Sequence, residues 1–226
     1  MNAMPKCPLC DCTLSVFHET DNWYWCALCE LHFVSPQPSD AELADFYGNV
    51  YWSVMGGRTD IPKRFFSWLR AKHRFNYLKQ FIPETGRMLD VGCANNDWAR
   101  RFKKEGWLAS GLEYGDGVGD TPFDLIVFSH SLEHMPDPVG TLKQYVGHLS
   151  DNGQVYIEVP HVGERNYGYN RRTYESGRHL FNYTPYSLFD TVLRAGLVPR
   201  HIKRGTWLPF GLNPRYIGIV AGKAKR

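Results

Sequence analysis

No apolar run in the 226-residue chain approaches the roughly 18 residues that a membrane-spanning helix needs. Its opening residues, MNAMPKCPLC, lack the basic-then-apolar pattern of a secretion signal, so a cytoplasmic location is expected. Internal repeats and low-complexity segments are also missing. Charged residues make up 22% and hydrophobic residues 43%, which argues against a disordered chain and allows one full-sized domain beside a small one. The net charge of +3 is small, but its two ends differ. Residues 1–35 hold Lys6 against Asp11, Glu19, Asp21 and Glu30, whereas residues 161–226 hold twelve Arg and Lys against three acids. An acidic start is a poor binder of phosphate backbone, which argues against a nucleic-acid partner there. The basic end suits an anionic partner, a nucleotide-linked small molecule as readily as RNA.

Cysteine is sparse but ordered. Four of the six fall as Cys7-x-x-Cys10 and Cys26-x-x-Cys29, with fifteen residues between the pairs. Each CxxC turn aims two thiolates at one ion, and two such turns complete a tetrahedral zinc site. Four protein ligands close that site, so the zinc is expected to be structural. Cys12 and His32 lie nearby and read as bystanders. Thr13–His18 and Trp23–Cys26 read as a hairpin turning at Glu19–Asn22, giving a zinc ribbon over residues 1–35. The ribbon is too short for an apolar core of its own, so metal binding supplies its folding energy.

Residues 36–84 read as a helical linker. Ser39 or Asp40 is placed to cap a helix starting at AELADFYG, and a second helix is expected over about Pro62–Phe81, with aromatics at helical spacing. From residue 85 strands and helices alternate, the pattern of an α/β domain with a mostly parallel sheet. MLDVG (88–92), WLASGLE (107–113), FDLIVFS (123–129) and QVYIEVP (154–160) are the strands, followed by two more near Leu197–Lys203 and Arg215–Val220. Helices are expected over Asn95–Glu105, Val139–Leu149 and Pro185–Ala195, with turns at Ser150–Gly153 and Gly196. A small-residue turn after the first strand lets the backbone approach a ligand. An acid at the next strand's end, Glu113, is placed to accept from ribose hydroxyls.

In that order LDVGCANND, FDLIVFSHSLEHMPDP, HLSDNGQVYIEVP and RHLFNYTPYSLFDTVLRAGL resemble successive segments of class I S-adenosylmethionine-dependent methyltransferases. CPLC…CALCELHFVSPQPSDAELADFYGNVYW is similar to the zinc-ribbon leader found on many of them. The resemblance implies a Rossmann-like domain over 85–226 that binds S-adenosylmethionine. It implies that Asp90, Gly92, Cys93 and Ala94 shape the methionine pocket and that Glu113 holds the ribose. Tyr114 would lie against the adenine, and Ser129 and His130 would border the methyl donor.

Two features depart from that pattern. Asn96 stands where the loop often has a third glycine, and Asn tolerates left-handed backbone better than most residues. Only Tyr114–Pro122 separate Glu113 from the next strand, where the family places a helix, an edge strand and another helix. The return path needs roughly 20 Å along the sheet and about 10 Å across it. Nine extended residues reach about 30 Å, so the connection closes and the edge strand and its helices are expected to be missing. The exposed face is then expected to be covered in part by the 36–84 helices or by a second copy in a homodimer. The usual adenine-contacting acid is also missing, with Asp116 and Asp120 as loose substitutes.

Methyl transfer from a sulfonium is a displacement that depends mostly on positioning, helped by a base when the acceptor is a hydroxyl or carbon acid. The candidate bases are His134, His161 and His179. Arg165–Arg178 holds four arginines and three tyrosines, suited to pairing with phosphate and stacking on a ring. A small anionic acceptor, such as a nucleotide-linked sugar or related metabolite, is therefore expected. A degenerate domain serving as a binding or assembly module, and an RNA methyltransferase guided by the ribbon, are the other readings.

Overall fold

The computed structural model describes residues 4–20, 22–45, 71–93, 96–113, 116–161, 179–206 and 215–224. Near the N-terminus β1 (Val16–Thr20), β2 (Trp23–Cys26) and β3 (Leu31–Val34) form an antiparallel ribbon, one strand more than the expected hairpin. After it comes α1 (Asp40–Asp45). Ser39 caps that helix: the Glu42 amide donates to Ser39 Oγ at 3.3 Å, and the Ser39 amide donates back to Glu42 Oε2 at 2.8 Å. The expected helix over 62–81 is described as α2, residues 71–78.

The main sheet is built from β4 (Arg87–Val91), β5 (Leu108–Leu112), β6 (Phe123–Ser129), β7 (Leu149–Pro160), β9 (Leu197–Thr206) and β10 (Arg215–Lys223). The strand order is β5-β4-β6-β7-β10-β9; the first four are parallel, and β10 runs antiparallel to both neighbours. Continuous apolar runs such as LIVF in β6 suit a sheet packed on both faces. One face carries Met88, Leu125, Val127, Tyr156 and Val220, covered by Phe75 and Leu78 of α2 and by Trp98 and Phe102 of α3 (Asp97–Lys104). The other carries Leu89, Ile126, Phe128, Ile157 and Ile219. It is covered by α4 (Pro138–Val146) and α5 (Pro185–Arg194). Asp137 and Thr184 cap α4 and α5, each with proline in the first turn, and Gly196 follows α5 at φ 80°.

The β5–β6 connection holds no helix or strand among its described residues, so β5 is the sheet edge, as its short length implies. Leu108 on that edge is 69% exposed. One expectation is corrected: Ser150–Gly153 is not a turn before the strand but part of β7. Phe123 pairs with Leu149 and Leu125 with Gln154, so the extra residues form a bulge rather than a break. A Cβ on Gly153 would sit 2.8 Å from the Phe123 carbonyl oxygen. No helix among the described residues is long and apolar enough to cross a membrane.

The ribbon is not a separate body. A short strand, β8 (Phe181–Asn182), joins β3 as the fourth strand of its sheet, with His32 opposite Asn182 and Phe33 opposite Phe181. Cys7, Leu31, Phe33, Phe181 and Tyr183 share one buried cluster with the main sheet.

Candidate active site

In an open α/β sheet the ligand crevice lies beyond the carboxyl ends of the strands where their connections part, here between β4 and β6. β4 ends there in Asp90, Val91 and Gly92. Gly92 has φ 74°, and its amide donates to the Leu112 carbonyl at 2.8 Å. A Cβ at this position would lie 2.6 Å from the Ser131 Cβ, so the loop needs glycine both for conformation and for space. Asn96 enters α3 at φ 55° and ψ 28°, the left-handed conformation expected of it. Gly111 on β5 is similarly crowded, its virtual Cβ 2.6 Å from the Cβ of Cys93.

Carboxylates concentrate around this turn. Asp90 is 2% exposed. Burial first, then the neighbouring Glu113 and Asp97, push its carboxyl up to about 7. Glu113 is exposed; its carboxylate receives the Cys93 thiol at 3.5 Å, and its amide donates to Asp116 Oδ2 at 2.9 Å. Burial and these acids raise the Cys93 thiol to about 12. The turn thus gathers two acids and a protonated thiol beside a glycine that leaves no room for a side chain.

At the end of β6, His130 adopts φ 57° and is held between two buried carboxylates. Its Nε2 is 3.0 Å from Glu158 Oε1 and its Nδ1 3.5 Å from Glu133 Oε1. Burial alone would lower its pKa, but the bonds to Glu133 and Glu158 outweigh that and raise it. Glu158 also pairs with Arg74 of α2 and accepts from the Tyr156 hydroxyl at 2.7 Å. Against the cost of burial, Arg74 and His130 hold Glu158 below the ordinary carboxylate range.

Glu133 lies in the short helical turn Leu132–His134, 1% exposed. Besides His130, it has His134 Nε2 at 3.8 Å and His179 Nε2 at 4.0 Å. The His134 and His179 rings meet edge to face with centroids 4.8 Å apart. Burial opposes ionisation of Glu133, yet His130, His134 and His179 together bring it down to about 2. Burial lowers His179 to about 4, against the pull of Glu133, so it is a neutral imidazole at neutral pH.

In the ribbon Cys7, Cys10, Cys26 and Cys29 converge. Cys7 and Cys29 sulfurs are 3.4 Å apart, Cys10 and Cys26 3.6 Å, and Cys29 and Cys10 3.8 Å. Contact with Cys29 lowers Cys7 to about 5, while burial raises Cys10 to about 11. Cys12 and His32 stay outside this group of four; the His32 ring lies against Trp25 at 4.3 Å.

A family profile described as a methyltransferase domain matches residues 63–202, more than half of the chain. The chain belongs to the methyltransferase-domain family. No curated protein matches the methyltransferase sequence. Its fold is shared with 1,6-didemethyltoxoflavin-N1-methyltransferase of Burkholderia thailandensis, solved with its substrate and S-adenosylhomocysteine. That pair has TM-score 0.59 and 15% identity, over 93% of this chain and 100% of that one. The glycopeptide N-methyltransferase MtfA, complexed with sinefungin, matches with TM-score 0.52 and 12% identity, over 68% and 94%. The mitomycin 7-O-methyltransferase MmcR matches with TM-score 0.54 and 13% identity, over 78% and 61%.

Of the residues expected to serve an S-adenosylmethionine-dependent methyltransferase, Asp90, Gly92, Cys93 and Glu113 meet at one turn, and Ser129 and His130 close the adjacent strand. Ala94, Tyr114 and the segment 165–178 lie outside the described residues. His134 and His179 come together, whereas His161, one residue past β7, pairs its backbone with Tyr183. Sequence reading passed over Glu133, Glu158 and Arg74. The signal for Glu158 was available: a lone acid inside the apolar run QVYIEVP must be paired when buried.

Proposed function

We propose that the chain methylates a small anionic acceptor, such as a nucleotide-linked sugar or related metabolite, at the crevice between β4 and β6. S-adenosylmethionine supplies an activated sulfonium methyl group when bound. Asp90, Gly92, Cys93 and Ala94 hold its methionine part, Glu113 its ribose, Tyr114 its adenine, and Ser129 and His130 border the methyl group. The observation that carries this reading is the turn at Gly92, where positive φ, absence of room for a Cβ and the Asp90–Glu113 pair coincide. Such a turn lets a ligand approach the backbone closely and offers negative charge to a cationic ligand.

The imidazoles grouped on Glu133 activate the acceptor. His179 is unprotonated at pH 7 and only weakly basic as burial holds it at about 4, with His134 against it and His161 as the third candidate. The arginines and tyrosines of 165–178 supply the anion-binding wall. The four cysteines hold a structural zinc ion: Zn–S bonds of about 2.3 Å put tetrahedral sulfurs about 3.8 Å apart, close to the separations here. The chain divides into this ribbon over 1–35, a helical linker over 36–84 and the methyltransferase domain over 85–226, working in a reducing cytoplasm. The exposed β5 edge favours a homodimer in which a second copy covers it.

Calorimetric titration of the zinc-loaded protein with S-adenosylmethionine and S-adenosylhomocysteine tests the reading. Micromolar binding, lost in Asp90→Ala and Glu113→Ala, is expected, followed by turnover on anionic sugars. No binding at millimolar cofactor would overturn it. The shortened β5–β6 connection would then favour a binding or assembly module.

A further inference from the structure

Buried polar atoms without a hydrogen-bond partner are costly and uncommon, and they cluster here in one place. Of twelve such side-chain atoms among the described residues, six belong to Glu133, His179, Asn182 and Tyr183. Both carboxylate oxygens of Glu133 are among them, on a side chain 1% exposed whose contacts to His130, His134 and His179 are electrostatic, at 3.5, 3.8 and 4.0 Å, rather than close hydrogen bonds. The four residues are held side by side by the backbone: the Leu180 amide donates to the Glu133 carbonyl at 2.8 Å, and β8 packs on the Leu132–His134 turn. A site this short of partners, built on a rigid frame, is shaped for something polar or charged.

We propose that Glu133, His134 and His179 form a site for a divalent transition-metal ion such as zinc, distinct from the four-cysteine group. One ligand atom from each residue lies within 4.8 Å of the other two. Any three atoms so spaced lie within about 2.8 Å of a common centre, and the two distances to Glu133, 3.8 and 4.0 Å, bring that centre closer still. Bonds of about 2.0–2.2 Å to nitrogen and oxygen then require side-chain shifts well under 1 Å. Two imidazoles and one carboxylate are a donor set that suits zinc and iron alike.

The two groups differ in what they leave open. Four thiolates close a tetrahedral ion, whereas three ligands leave a position for an outside oxygen. His134 and His179 are 19% and 18% exposed, so the group keeps some contact with solvent. Asn182 and Tyr183 place an unpartnered amide and hydroxyl beside the cluster, suited to bonding water on the ion. This deepens the proposed function and rests on it only in naming the ligand: an anionic oxygen of the methyl acceptor takes the open position. The two imidazoles then act as ligands, and the ion, rather than a free base, activates that oxygen.

The test is metal content of the full-length protein after equilibrium dialysis against micromolar zinc. Two zinc ions per chain are expected, falling to one in His179→Ala and in Glu133→Gln. Far-ultraviolet circular dichroism checks that each variant is folded, and the partly exposed His179 keeps the test informative if Glu133→Gln is not. Cobalt substitution separates the sites, since tetrathiolate cobalt absorbs strongly and the nitrogen–oxygen site weakly; only the weak component should vanish in His179→Ala. Saturation at one zinc per chain, or folded variants that keep both, would overturn the proposal. Cofactor titration is read separately. A second zinc without cofactor binding sinks the methyltransferase reading alone, and cofactor binding with one zinc sinks the metal site alone.

Discussion

Gly92→Ala is the substitution whose cost follows most directly from the geometry. At φ 74° a Cβ crowds the next carbonyl, a strain of about 1–2 kcal/mol. The same Cβ lands 2.6 Å from the Ser131 Cβ, which cannot rotate away because both atoms are fixed to backbone. Overpacking of that kind costs about 1–3 kcal/mol. The sum, about 2–5 kcal/mol, is a large share of the roughly 5–15 kcal/mol that holds a domain together. With a urea slope of about 2–3 kcal/mol per molar, the midpoint should fall by about 1–2 M. Gly196→Ala separates the two effects, since its φ is 80° but nothing lies within 4 Å of the added carbon. It should cost the strain alone and leave S-adenosylmethionine affinity intact, whereas Gly92→Ala should lose both stability and affinity. Ser131→Gly in the Gly92→Ala background should recover the clash and not the strain. Equal midpoints for the two alanine variants, with unchanged cofactor affinity in both, would refute the tight turn as the binding device.

Cofactor affinity should rise as pH passes through about 7, because ionising Asp90 adds attraction for a cationic ligand; Asp90→Asn should bind weakly with no such slope, by calorimetry across that range. Acid acts on stability through opposed groups: Asp90, raised to about 7 folded from 3.8 unfolded, and His130, also raised, gain stability as pH falls, while His179 and Glu133 lose it. His179 titrates at about 4 folded against 6.5 unfolded, so its contribution is lost as pH falls from 6.5 towards 4. Glu133 is depressed to about 2 from 4.5, so its contribution, intact above 4.5, is lost on going lower. Urea midpoints that change equally between pH 6.5 and 4.5 in wild type and in His179→Gln would contradict the burial of His179. Arg74→Met should destabilise by less than the roughly 3–5 kcal/mol of a fully orphaned buried charge, because Glu158 keeps His130 and Tyr156, and Glu158→Gln in the same chain should restore part of the loss, read from urea midpoints. Chelation of the zinc proposed for the ribbon should lower the melting temperature and open residues near 180 to protease, because β8 then loses its partner strand.

The sheet was legible because its strands are short apolar runs bounded by acids and glycine, and the helices because of their apolar faces and, for α4 and α5, a cap followed by proline. Missing elements were legible too: nine residues after Glu113 leave no length for an edge strand. The cysteine group followed from spacing. What sequence alone did not carry was anything made by distant residues meeting. Phe181 and Asn182 carry no strand pattern of their own, and only the edge of β3 makes them one. Glu133 stood in a motif whose histidine drew attention, yet its partner His179 is 46 positions away. Arg74 belongs to a helix that reads as linker, and its role comes from reaching Glu158 across the sheet face. The bulge in β7 looked like a turn because Ser-Asp-Asn-Gly forms turns in isolation, and pairing with β6 overrides that preference.

The sharing of one sheet by β3 and β8 bears on how chains of this kind diversify. A small cassette that folds around its own cysteine cluster is ordinarily free to be exchanged or dropped. Here the backbone of Leu180 is bonded on one side to Val34 of the ribbon and on the other to Glu133. Exchanging the ribbon therefore exchanges one wall of the chemistry, and a chain begun after residue 84 exposes Phe181 and an unpaired strand edge to aggregation. Ribbon and catalytic domain are in this sense inherited as one unit.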